Sequence, residues 1–171
     1  SVLSSSVVSA MVRITDVAEQ LLTDLLEARR SIEVSVARLA AERITEAQLA
    51  RLADTIDTMR RTRATTGSDD LAANVQADID FHETILDASG NVYLRSVYGP
   101  LREILAAVRF HTSASTEVRT EALAHHEAIH TALANHDPDA ASRAMEAHMD
   151  QTLRAHSQVD LTTLDLNTAR R

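Results

Sequence analysis

Asp78 and His82 lie one helical turn apart, so a helix through them would offer an oxygen and a nitrogen from a single face. At about 100° per residue they share that face with Leu71, Val75, Ile85 and Leu86, which turns both toward an apolar interior. The spacing suits two ligands of a divalent ion, and equally an Asp–His hydrogen bond inside a bundle. His148 is a third inward group, on a face with Ala141, Ala144, Met145 and Thr152. His125 and His126 stand on opposite shoulders of the stripe Val118, Ala122, Ile129 and Leu133, and helical geometry does not choose between them. One Asp and three inward His from three helices would form a mononuclear metal site. A buried carboxylate is costly without a partner, so removing Asp78 from the metal-free chain is expected to be neutral or stabilising.

Arg29 falls between Leu25, Ile32 and Val36, whereas Arg30 lies outside that stripe. A buried guanidinium matches a carboxylate held through two parallel bonds. Glu33, one turn on, would supply it internally; a bound organic acid would supply it from outside. Arg102 and Arg109 flank the apolar face of Leu101, Ile104, Leu105 and Val108, where arginines usually reach out to solvent. With Asn91, which is placed to cap a helix, these three arginines are the candidate effector contacts. Glu127-x-x-His130 is half of a di-iron bundle signature, but no second copy exists. Glu83 and Glu127 are the spare carboxylates that keep a metal-dependent hydrolase or oxidase as the alternative reading.

The elements that must position these groups are helical. The chain has 171 residues, with 44% hydrophobic and 25% charged, an ordinary mixture for one soluble domain. Three Gly and two Pro argue against a sandwich or barrel, whose turns need such residues every few positions. Aromatics are 2%, so the core must be aliphatic, and the lack of Cys removes thiol catalysis and Cys-ligated metals. The net charge of −8 makes a poor partner for a phosphate backbone. No apolar run is long enough to cross a bilayer and no basic leader opens the chain, so a cytoplasmic location is expected.

Residues 1–15 read as a linker or disordered start, 16–157 as the folded domain and 158–171 as a loose tail. The first helix runs from about Asp16 to Arg43, and Thr45-x-x-Gln48 opens the second as a capping box. Gly67 and Ser68 precede a third helix, which Gly90 stops. Asn91 begins a fourth, interrupted at Gly99-Pro100. Two more follow, over about Glu117 to Asn135 and from Pro138 to Ser157, with Asp137 as N-cap. The fold class is all-α, an antiparallel bundle of six to seven helices around a polar pocket.

Three segments carry a family resemblance. Glu27-Ala-Arg29-Arg-Ser-Ile-Glu33 with Ala37-Arg-Leu-Ala-Ala41 resembles the opening helix of the FCD domain, the effector-binding domain of FadR-branch GntR-type bacterial transcription regulators. Asp78-Ile-Asp-Phe81-His82 with Ser89-Gly90-Asn91 resembles its "D-x-x-F-H … S-G-N" segment. His126-Glu-Ala-Ile129-His-Thr-Ala132-Leu133, followed by Asp137, Ala141, Met145 and His148, resembles its ending. The resemblance covers roughly residues 20–157 in order. It implies a divalent metal, zinc first, with nickel, manganese, iron or cobalt as alternatives, on Asp78, His82, His126 and His148. That selects His126 over His125. It also implies a small carboxylate metabolite as effector, a homodimer, and a winged helix-turn-helix that reads operator DNA. Nothing like that DNA-binding domain precedes Asp16, so this chain would reach DNA only through a missing N-terminal domain.

Overall fold

The computed structural model describes residues 5–157, and side chains from residue 19 onward. Seven α-helices and one 3-10 turn make up the described residues: α1 (Ser5–Arg43), α2 (Glu46–Thr62), α3 (Ser68–Ala88), α4 (Val92–Tyr98), the turn Gly99–Leu101, α5 (Arg102–Thr112), α6 (Thr116–Ala134) and α7 (Pro138–Ser157). There is no strand among them. The first helix begins about ten residues earlier than expected, at Ser5. Residues 5–15, expected as a linker or disordered start, are helical: they hold no Gly or Pro, and nothing stops a helix already nucleated downstream. The expected loose tail, 158–171, lies outside the described residues.

Local chemistry sets the joints. Thr45 and Gln48 cap each other's backbone at the start of α2, as the capping box requires. Gly90 takes a φ of 63° just past α3, a left-handed turn that a side chain would strain. Its neighbour Ser89 gives its carbonyl to Arg43 at the end of α1. The Asn91 side chain accepts from the backbone N–H groups of Tyr93 and Leu94, which starts α4. Pro100 lacks an N–H, and the chain passes from α4 to α5 through a tighter turn. Asp137 accepts from Ala140 N–H and Pro138 opens α7.

α1 and α7 run antiparallel, since Arg30 pairs with Glu146 and Asp150 near one end while Arg38 pairs with Asp139 near the other. α3 and α6 complete the walls around one aliphatic core that includes Leu26, Val36, Leu52, Ile85, Leu105, Ile129, Leu133 and Met145. No described helix is long and apolar enough to cross a membrane. Into the middle of this core the bundle inserts a polar cluster.

Candidate metal centre

α3 delivers Asp78 and His82, α6 delivers His126 and α7 delivers His148. One ligand atom from each lies within 4.8 Å of all the others. The three His are buried and Asp78 nearly so. His126 Nε2 stands 2.9 Å from Asp78 Oδ1, and His82 Nε2 stands 3.2 Å from His148 Nε2. His125, by contrast, is only partly buried on the outer shoulder of α6.

These atoms converge without satisfying one another. Both ring nitrogens of His126 and Nδ1 of His148 are buried with no hydrogen-bond partner, despite the short approach of His126 to Asp78. Buried nitrogens left in this state are rare, because each forfeits its hydration. A divalent ion would use the lone pairs that now face one another. The donor set, one carboxylate oxygen and imidazole nitrogens, suits a borderline ion such as zinc. The residues present fit the group.

Glu33 organises the ring of His82. It accepts from Arg29 Nε at 2.7 Å and from the Tyr98 hydroxyl at 2.7 Å, while its other oxygen takes the Nδ1–H of His82. A proton held at Nδ1 leaves the Nε2 lone pair pointing into the cluster, the tautomer that ligation requires. Arg29 NH2 also lies 3.3 Å from that Nε2. Arg109 comes in from α5, its Nε 2.5 Å from Asp78 Oδ2, although its N–H is not aimed at an acceptor.

Burial opposes charge throughout the cluster, and the partners decide the outcome. Burial would raise Glu33, but His82, Arg29 and Arg109 hold its carboxyl well below the usual range. Burial acts the same way on Asp78, and Arg109 with the neighbouring His residues outweighs it. Burial pushes His82 down to about 4 even with Glu33 beside it. It also lowers His148 far below its ordinary value, helped by His126 and His82. These directions favour ionised Glu33 and Asp78 and neutral His82 and His148. Neutral imidazoles and ionised carboxylates are the forms that bind metal.

The expected groups sort themselves plainly. Asp78, His82, His126 and His148 come together, with Arg29 and Arg109 against them. Arg109 turns inward rather than to solvent because Asp78 and Glu33 draw it in. Arg102 does not join: it is exposed and pairs with Glu83 at 2.7 Å. Asn91 does not join either, since its side chain is spent on capping α4. Glu33 partners Arg29, so the arginine has its internal anion. Asp78 does not lack a partner in the metal-free protein: it stands beside Arg109, which also faces Glu33, so its removal takes away one of the two carboxylates at that buried guanidinium. Tyr98 and Gln151 were not anticipated. Gln151 follows His148 by three residues on the same helical face, a signal the sequence does carry.

A small cavity opens on one side of the cluster, between α5, the start of α6 and α7, with about 30 Å³ open to the centre of a water molecule. Arg29, Asp78, Arg109 and His148 line one part, and Thr112 and Gln151 line another.

The fold and the cluster define an all-helical bundle with an inward Asp and three inward His, and comparison with known proteins gives the family. The pattern of the FCD domain matches residues 24–151. The HTH-type transcriptional repressor NanR of Edwardsiella tarda is 31% identical over 140 residues, 77% of this chain and 52% of that protein. NanR of Cronobacter sakazakii is 30% identical over 124 residues, covering 71% of this chain and 46% of that protein. Among solved structures, Streptococcus agalactiae GntR superposes with a TM-score of 0.65 at 26% identity, over 80% of this chain and 60% of that one. The chain belongs to the FCD family, as an effector domain of the GntR class of transcription regulators. It spans about half the length of the curated relatives it matches. Those relatives are named as repressors and not as enzymes. The two spare carboxylates also stand elsewhere, Glu83 on Arg102 and Glu127 on Arg60.

Proposed function

We propose that this FCD domain holds one divalent ion, zinc first, on Asp78, His82, His126 and His148, and that it senses a small organic acid there. The observation that carries this reading is the convergence of four ligand atoms within 4.8 Å while buried His126 and His148 nitrogens go unpartnered. Bound there, the ion would supply Lewis-acidic positions open to an oxygen donor.

Charge argues for the acid. Arg29 and Arg109 are balanced by Glu33 and Asp78 before any ion arrives. A divalent ion adds two positive charges to a buried region, and an anionic ligand offsets them. Arg109, on the cavity wall, is the arginine best placed to orient a carboxylate; Arg29, committed to Glu33, supports it. The cavity is narrow, which favours a compact metabolite.

Regulation follows from what the acid must touch. α5 reaches the cluster through Arg109, and α4 reaches it through the Tyr98–Glu33 bond. A ligand at Arg109 therefore biases the position of α5, and linkage would pass that bias to a DNA-binding domain of the whole regulator, as the repressor relatives suggest. The reading includes a homodimer, for which exposed Val92, Tyr93, Val97 and Ile104 on α4 and α5 offer an apolar face to a second copy.

Calorimetric titration of short carboxylic acids into zinc-loaded and metal-stripped protein tests the reading. Binding to the loaded form alone supports it. Equal binding to both forms, or to neither, overturns it.

A further inference from the structure

Gln151 is 2% exposed and lines the cavity, yet no hydrogen bond joins its amide to another group among the described residues. An amide whose donor and acceptor face a narrow cavity is completed there by water or by a ligand. Its neighbours do not supply that bond. The hydroxyl of Thr112 donates to the backbone of Val108 and Arg109, and that of Thr152 donates to His148 O. Their protons are engaged within their own helices.

The cavity is polarised along the helices that form it. His148, Arg109 and Asp78 bring charge or metal-binding capacity to one end. About one turn further along α5 and α7 come Thr112, Ser113, Gln151 and Thr152, with Val118 and Ala155 as apolar wall. No cation lines that second end. A ligand with a carboxylate at both ends would bury one of them against neutral groups, which is costly. A ligand with a neutral hydroxyl would both give and take a hydrogen bond at the Gln151 amide.

From this geometry we infer that Gln151 is a specificity-determining residue: it reads a hydroxyl at the far end of a short monocarboxylic acid whose carboxylate lies at the metal and Arg109. The inference rests on the metal-and-acid reading above. Gln151 follows His148 by three residues, a rise of about 4.5 Å, so a chain of about three carbons spans the two ends.

Three acids that differ only at that end provide the probe: 3-hydroxypropanoate, propanoate and malonate, titrated into zinc-loaded protein. Wild type should bind 3-hydroxypropanoate at least about tenfold more tightly than propanoate, which leaves the amide unmatched, with malonate weakest because it buries a second charge against neutral groups. Gln151→Met should bring the first two within about twofold of each other. Gln151→Glu keeps the size and an acceptor, so it should retain the hydroxyl preference and reject malonate more strongly. This variant carries the test if the Met variant loses its helical circular dichroism. A hydroxyl preference as large in Gln151→Met as in wild type, or, where that variant does not fold, malonate rejection no stronger in Gln151→Glu, overturns the role of Gln151 and leaves the metal-and-acid reading standing. A wild type that shows no preference for the hydroxyl does the same. If no acid binds zinc-loaded wild type, both fall together.

Discussion

Two buried arginine sites in this bundle solve the same electrostatic problem in opposite ways. Arg119, at the start of α6, gives its guanidinium to three backbone carbonyls: Arg63 at 3.1 Å, Ser113 at 3.0 Å and Thr65. Those carbonyls are orphans at the ends of α2 and α5, so one side chain closes two helix termini. Burial lowers its pKa and only Asp70 works against that. Each of the three Arg119 guanidinium nitrogens has a carbonyl partner. Around Arg29 and Arg109 the charges are balanced by carboxylates, but buried His126 and His148 nitrogens remain without partners and the Gln151 side chain faces the adjoining cavity. A satisfied buried cation is a structural clamp, whereas a charge-balanced cluster with unused lone pairs has donors to offer an ion.

The contrast breaks first if metal does nothing to stability. Zinc at about a thousandfold excess over its dissociation constant should stabilise wild type by about 4 kcal/mol, read as a rise in melting temperature. Arg119→Ala should retain that rise while destabilising the protein with or without zinc by about 2–3 kcal/mol, because three carbonyls lose their donor. Glu33→Gln should weaken zinc binding by about 10- to 100-fold, since the single amide oxygen must serve Arg29, Tyr98 and His82 where two carboxylate oxygens did, and the negative charge behind the His82 ring is gone. Nitrogen NMR of His82 would show Nε2–H gaining population in that variant, a change that a purely structural role would not produce. Tyr98→Phe removes one of the bonds to Glu33 and should cost about 1 kcal/mol. Arg38→Ala, at an exposed pair with Asp139, should leave both the melting temperature and zinc affinity unchanged.

Much of this was legible because helical periodicity exposes misplaced polarity. Asp78, His82 and His148 each interrupt an apolar stripe, and the structure turns each of them inward. Periodicity could not separate His126 from His125, which are adjacent and about 100° apart; the packing of α6 on α7 and α2 turns one of them in. The inward turn of Arg109 was hidden for a related reason. Its side chain is long enough to point either way, and the carboxylates that attract it sit on α1 and α3. Tyr98 was invisible because its bond to Glu33 spans 65 positions. The start of α1 was misplaced because Ser and Val are weak helix formers, yet the stretch holds no residue that stops a helix.

The central claim is that the α3–α6–α7 cluster is a metal site built on His126. Titration of zinc into metal-stripped wild type, His125→Ala and His126→Ala, followed by calorimetry, tests it most directly. The account predicts about one ion per chain in wild type and His125→Ala, and none bound to His126→Ala at matched concentrations. Zinc binding that survives His126→Ala unchanged, or that is absent from wild type, would contradict it.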